Sequence, residues 1–514
     1  MATDRRFAAL MAAWVGVMPV MAAAQGAPLS AIDWLSDTVA LRPAPAETPV
    51  VPPGDLDPIT TTRLSDRNLD AVGLLPVEVT GLASGFWAAS DTETLAALIR
   101  AERAEPLPAL RDLLQTLLLA ELAPPADADG SGTFLLVRVD KLLEMGALEA
   151  AAALVDAAGQ PTPDLFRRAF DIALLLGTED AACAEQRAAP GIAPTFPARI
   201  FCLARGGDWQ AAELTLRTAQ ALGQVAPEDL AMLQRFIAPE LYEDDDPLPP
   251  PERLSPLVLR ILEAIGEPVS STGLPLAFAH GDLTPATGWK ARLEAGERLA
   301  RAGAIAPEQL FELYGERMPA ASGGVWARVE AVQRFETALA AGDPGAVATS
   351  LQRVWTALAD RELEVPFAEV HAAALSRLPL TGEAGALAFQ IALLGPDYEP
   401  AAQARVPETP EEAFLIGIAR GSLTVPPPPD GLARAIAPAF AATGTAPPLS
   451  PQAEALLLAG RSGEAALMAI DKLTTGATGN YRAVTEGLVL LRRLGLEGVA
   501  RKAALQLLVL ERRG

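Results

Sequence analysis

Histidine is nearly absent from this chain of 514 residues: only His280 and His371 occur, far apart in sequence. A histidine-rich metal cage is therefore excluded, and a Ser-His-Asp site has few ways to be built. Lysine is almost as scarce, with Lys141, Lys290, Lys472 and Lys502 set against abundant arginine. Basic residues total 41 against 64 acidic ones, a formal net charge of −23. Such a charge repels phosphate backbones and anionic lipid head groups, so nucleic acid is not an expected partner. Beyond the N-terminal region, no apolar run reaches membrane-spanning length without a charge or a proline.

What is present begins with an export pattern. Arg5 and Arg6 precede an uncharged apolar run, Phe7 to Met21, followed by Ala22-Ala23-Ala24. A basic start, a short apolar stretch and small residues at a cleavage point predict a secretory signal over residues 1–24, cut after Ala24. The run is short for a spanning helix, which needs about 20 apolar residues, so cleavage is expected in preference to anchoring. No cysteine follows the run, which leaves no lipoprotein anchor. Asp4, Arg5 and Arg6 leave with the leader, so the mature chain carries about one more net negative charge. The expected location is the bacterial periplasm, with no membrane insertion after cleavage.

Two cysteines, Cys183 and Cys202, remain for that oxidising compartment. An even pair there predicts a disulfide. Pro190-Gly191 and Pro194 lie between them and imply a turn, so the bond would staple two neighbouring helices. The C-x-x-C spacing of a redox site is missing, and metal binding would need more ligands.

Periodicity predicts an all-α protein. Glycines follow apolar helical stretches at Gly303, Gly342, Gly382, Gly421, Gly460 and Gly495, at steps of 39, 40, 39, 39 and 35 residues. Similar local text ends several stretches: Leu142-Leu143-Glu144-Met145-Gly146, Leu299-Ala300-Arg301-Ala302-Gly303 and Leu491-Arg492-Arg493-Leu494-Gly495. Alanine-rich amphipathic stretches follow; after Gly207, residues Trp209, Ala212, Leu216 and Ala219 share one helical face. Helical hairpins of this size cannot bury an apolar face alone and must stack. At the level of pattern, residues 90–514 resemble the tetratricopeptide-like and HEAT-like α-solenoids. The resemblance implies a right-handed or irregular superhelix with an extended binding surface.

Around this array, residues 25–58 are predicted to form a short amphipathic segment and a Pro-rich linker over 42–58. Within it, Ser30 and Asp33 have capping-box spacing, and Ile32, Leu35 and Val39 share a helical face beside Trp34. That segment is a candidate docking peptide for a partner, or a cap that folds back on its own array. Thr, Val and Ile runs at Ile59–Leu64 and Gly73–Leu82 predict one β-hairpin within residues 59–85. Helical repeats are expected over 86–242 and 257–514, separated by an acidic, Pro-rich loop at 243–256, with a second break at Pro426–Pro429. The basic C-terminal stretch (Arg482, Arg492, Arg493, Arg501, Lys502, Arg512, Arg513) suits helix C-termini, whose dipoles favour positive charge.

Several stretches approach a catalytic or metal-binding pattern and fall short of it. His280-Gly281-Asp282-Leu283-Thr284-Pro285 resembles the catalytic loop of aminoglycoside-type phosphotransferases, but Thr287 stands where a magnesium-holding Asn belongs. Asp127-x-Asp129-Gly130 resembles the opening of a calcium loop, but Arg138 occupies the position of its bidentate Glu. Ser322-Gly323-Gly324 and Ser462 lack nucleophile-elbow spacing. Trp289, Trp326 and Trp355 are candidate surface anchors or, more ordinarily, helix-interface fillers. No catalytic, cofactor or metal residues are therefore expected. The expected function is a non-enzymatic scaffold or adaptor binding protein partners of the cell envelope. The alternatives are a lytic transglycosylase-like cell-wall enzyme, since one buried Glu could suffice, and a structural subunit of an envelope machine.

Overall fold

Proline and small polar residues together begin the helices of this chain. The computed structural model describes Trp34 and residues 68–510, apart from 160, 161, 194, 244, 252 and 444–446. Helices open on proline at Pro163, Pro256, Pro344, Pro410 and Pro451, each preceded by Ser, Thr or Asp. The capping side chains of Thr162, Ser255, Asp343, Thr409 and Ser450 all accept backbone N–H bonds from the first turn. A proline there loses no helical hydrogen bond, because that N–H has no intrahelical acceptor. The abundant proline is thus compatible with twenty-four α-helices and no named strand among the described residues. The protein is all-α.

Glycine closes the helices. Gly303, Gly342, Gly421, Gly460 and Gly495 each sit at a positive φ just past a helix end. Gly382 departs from this series: it opens the helix Gly382–Leu394 instead of ending one. Short connections then fold consecutive helices against each other, as in Phe196–Arg205 with Trp209–Ala221, Val325–Ala340 with Pro344–Ala359, and Ser462–Gly476 with Tyr481–Arg493.

Three apolar clusters organise these pairs, with a small fourth one beside them. One runs from Phe166 to Leu262 and contains both cysteines, and another holds residues 289–394. The largest joins residues 72–175 to 389–507, so the two ends of the described chain share a core. The helix Pro108–Leu119 packs on Glu497–Val509, and Thr92–Ala101 packs on Ser462–Gly476. Gln506 accepts a hydrogen bond from the Ala109 amide at 2.8 Å, and the Gly463 amide donates to the Phe86 carbonyl at 3.0 Å. An open superhelix leaves two exposed ends to be capped. Here the first and last described helices cover each other, and the contacts show packed helical pairs without showing the right-handed or irregular superhelix that the resemblance implies.

The expected β-hairpin is not seen among the described residues. Ile59–Leu64 lies outside the described residues. In the other half, Leu75 makes a single parallel bridge to Ala120, and Val77–Thr80 is a short helix. The reason lies in two charged side chains that hold this segment to helix ends. Asp70 accepts amide bonds from Phe134 at 2.7 Å and Leu135 at 3.2 Å, capping the helix Thr133–Glu144. Fully buried Arg138 donates to the carbonyls of Leu118, Ala120 and Val72. The segment's own backbone pairs with the end of the helix Pro108–Leu119: the Leu74 and Leu75 amides donate to the Leu119 carbonyl at 2.8 and 3.1 Å, and the Glu121 amide donates to the Leu75 carbonyl at 2.8 Å. Near the other terminus, Arg501 donates to the carbonyl of Ala419, the last residue of the helix Pro410–Ala419, at 2.9 Å. That is the helix-end role expected for the basic C-terminal residues.

Candidate functional site

A cleft opens where the largest cluster meets the 289–394 cluster. The helix Pro108–Leu119 contributes Arg111, Asp112 and Gln115, and Leu148–Ala158 contributes Glu149. Glu369 comes from Glu364–Leu375, and the turn after Trp289–Arg301 brings Gly303 and Ile305. The cavity measures about 330 Å³, at the small end of the range for ligand pockets. These helices come from distant parts of the sequence, so chain closure assembles the cleft.

Its one lining arginine is already committed. Arg111 is nearly buried and forms a fork on Asp112 Oδ1, with Nε at 3.0 Å and Nη2 at 2.7 Å. Its Nη1 donates to the Arg301 carbonyl at 3.2 Å, at the negative end of the helix Trp289–Arg301. Across the cleft, burial holds the Glu369 carboxyl above the usual range, and the charge of Asp112 adds to the effect. Arg111 and Lys502 act in the opposite direction on Glu369. Asp112, Glu149 and Glu369 therefore give the cleft a negative field. Such a site can accept hydrogen bonds from a cationic or hydroxyl-bearing ligand, and a carboxyl with a raised pKa can also donate a proton.

Gly303 makes the Arg111 position available. Its φ is +61°, and a Cβ placed there would lie 2.3 Å from Arg111 Cζ. Gly303→Ala is expected to destabilise the protein by about 2–3 kcal/mol, combining backbone strain with displacement of the guanidinium. Thermal unfolding of Gly303→Ala alone and combined with Arg111→Ala checks this. The second substitution should recover the clash component as a non-additive term, whereas simple additivity would show that the two residues do not meet.

A second titratable cluster lies between the helices Thr92–Ala101, Thr133–Glu144 and Ser462–Gly476. Burial pushes the Glu102 carboxyl up to about 8, aided by the charge of Asp471 and opposed by Lys141. Lys141, itself buried, donates to the Glu102 backbone carbonyl and to the Glu144 carboxylate. A folded pKa above the unfolded one means that the folded state binds more protons between the two values. The stability contribution of Glu102 is therefore complete below about pH 4.5 and is lost as pH rises through about 8. Glu102→Gln should remove this dependence and gain about 1–3 kcal/mol at pH 8 relative to the parent. Denaturation midpoints from pH 5 to 9 measure it, and parallel curves for the two proteins would refute it.

The residues singled out from sequence have these places. Cys183 and Cys202 form a disulfide, both buried, linking Glu179–Ala188 to Phe196–Arg205. Trp34 packs edge-on against Phe278, with ring centroids 5.5 Å apart. Ile32, Leu35 and Val39 lie outside the described residues. His280 Nε2 donates to the Gly146 carbonyl at 2.8 Å, and Asp282 accepts from the Ser271 hydroxyl, so both join the packing of one corner. Asp127 accepts from the Thr92 amide at 2.8 Å, and Asp129 from the Ser131 amide at 2.9 Å, in turns. Trp289 donates to the Leu313 carbonyl at 3.0 Å and packs on Trp326, filling a helix interface. Trp355 packs on Phe367. His371 is buried among Phe311, Phe335 and Phe367, which depresses its pKa to about 4. Among the described residues, no three His, Cys, Asp or Glu side chains converge to hold a metal, and no helix is long and apolar enough to cross a membrane.

Arg111, Asp112, Glu149 and Glu369 were not legible in the sequence, because no local motif joins residues drawn from three separate helices. The recurrent glycine at 303 was visible, but only as a helix end. No family model, no curated protein and no solved structure matches this chain, and no helical-repeat family is identified for it.

Proposed function

We propose that this protein is a non-enzymatic binding scaffold of the bacterial periplasm whose partners are proteins of the cell envelope. The observation that carries the reading is the disulfide-stapled lobe and what it leaves in solvent. Trp209, Leu214, Leu222 and Leu241 are exposed there, Leu214 at 67 %. Leu214 and Leu222 lie about two turns apart along one helix and its cap, and large apolar side chains left in water favour association. The staple itself suits an oxidising compartment, as does the export pattern of residues 1–24. The strong negative charge argues for protein partners over nucleic acid.

Site-specific photocrosslinking at positions 214 and 222 in intact cells tests the reading. A discrete adduct with one envelope protein, lost on Leu214→Glu, is the expected result. Adducts that form equally well at positions remote from the lobe, or none at 214 and 222, would count against it.

One observation favours a second reading. Glu369, its carboxyl held above the usual range by burial, shares a cleft with Asp112 and Glu149, and glycosidases use a carboxyl kept protonated by its surroundings as their general acid. Release of soluble muropeptides from purified peptidoglycan, abolished by Glu369→Gln, would support that enzyme and displace the scaffold reading.

A further inference from the structure

We propose that His371 and Glu336 hold a divalent transition-metal ion of the zinc type at the edge of a surface depression. The site is separate from the cleft around Arg111 and does not rest on the scaffold reading. His371 is 6 % exposed, and its Nε2 has no hydrogen-bond partner among the described residues. Glu336 Oε1 lies 3.6 Å from that nitrogen. The gap is too long for a nitrogen–oxygen hydrogen bond, which ends at about 3.2 Å. It suits two ligands of one ion. Metal bonds of about 2.1 Å to each atom across such a gap subtend about 118°, close to the tetrahedral angle that zinc takes. Imidazole nitrogen and carboxylate oxygen are both ordinary zinc donors.

Both side chains are placed before an ion arrives. His371 stands on the helix Glu364–Leu375, and Phe367 lies one turn earlier on it, with ring centroids 4.7 Å apart. Phe311 and Phe335 close on the imidazole from the helices Pro307–Gly315 and Val325–Ala340, at 4.8 and 5.4 Å. This aromatic shell orients the ring and limits water around it, two ways in which surroundings tune a metal ligand. Glu336 follows Phe335 directly, so the turn of helix that packs on the ring also sets the carboxylate beside it.

The carboxylate is partly exposed and lines a depression of about 380 Å³ with Gly315, Met318, Gln333 and Thr337. An ion can therefore arrive from solvent. Gln333 is anchored through its amide nitrogen to the carbonyls of Tyr314 and Arg317, both at 2.7 Å. Its amide oxygen and water are the donors available for the remaining positions. Two charged or aromatic donors are fewer than the four of a closed structural site, so the ion is exchangeable and does not hold the fold together. His371 and Glu336 come from different helices, and no local spacing in the sequence announces them.

The test uses the full chain without an added tag and with isotope-labelled histidine, whose two residues give two imidazole signal sets. Titration with zinc chloride should move the His371 set and leave that of His280, whose Nε2 is bonded to the Gly146 carbonyl. Glu336→Gln, which keeps the side-chain shape, should weaken zinc binding at least about tenfold. Zinc should raise the thermal unfolding midpoint of the unaltered protein and not that of His371→Phe, which refills the aromatic pocket. Glu336→Gln serves for the same comparison if the histidine variant does not fold. No movement of the His371 signals up to about 1 mM zinc, or equal affinity in Glu336→Gln, would overturn the proposal and leave the pair as packing between two helices.

Discussion

Glu297→Ala is expected to cost about 3–5 kcal/mol of folding stability, the largest effect of any single substitution considered. Glu297 is 2 % exposed and holds three other side chains in place. Tyr314 donates its hydroxyl to Oε1 at 2.9 Å, and Arg328 forms a fork with Nε to Oε1 at 2.7 Å and Nη2 to Oε2 at 2.6 Å. Arg361 lies 3.5 Å from Oε2. The Tyr314 hydroxyl is pushed well above its ordinary pKa by burial and then by the Glu297 charge, so it stays a donor. Removing the carboxylate leaves the fully buried Tyr314 hydroxyl and the largely buried Arg328 guanidinium without their acceptor at the edge of the 289–394 cluster. The cost comes from orphaned partners, and this can be tested separately. Glu297→Leu combined with Arg328→Met, which removes both charges, should cost less than Glu297→Ala alone. Urea denaturation followed by circular dichroism measures both. A loss under about 1 kcal/mol for Glu297→Ala would show that water reaches the site.

Breaking the Cys183–Cys202 bond should cost about 3 kcal/mol, from the chain entropy released when a loop of this length opens. The cysteines are 19 positions apart, and their loop contains the whole connection between two helices of the stapled lobe. The damage should be local, because that lobe has its own apolar cluster. Limited proteolysis of Cys183→Ser/Cys202→Ser should therefore cut first between about residues 179 and 237 while the end-to-end core survives. Both sulfurs are buried, so reductant should act slowly on the folded protein and quickly on the denaturant-unfolded one. Two reactive thiols in denatured protein recovered from the periplasm would contradict the bond.

These two features differ in how far the sequence foretold them. The disulfide was legible because both sulfurs lie close in the chain and only two cysteines exist. The Glu297 network was not, because its members come from separate helices and resemble ordinary surface charges until they are packed. Arg138 shows the same limit in another form. In sequence it spoils a calcium loop; in the fold its buried guanidinium takes up carbonyls at the end of the helix Pro108–Leu119. Gly382 shows it at the smallest scale, since a positive φ marks a helix boundary without saying which side the helix lies on.

The amino-acid order alone determined the all-α class, most of the glycine ends of the recurring series and the sulfur pairing. Each depends on interactions that span a few residues or one short loop, so local spacing carries the information. Tertiary structure decided that the first and last described helices share a core, that a cleft forms between clusters, and which charges are buried in pairs. Those outcomes depend on surfaces hundreds of residues apart covering each other. The helical period makes a face apolar without specifying which other face will bury it.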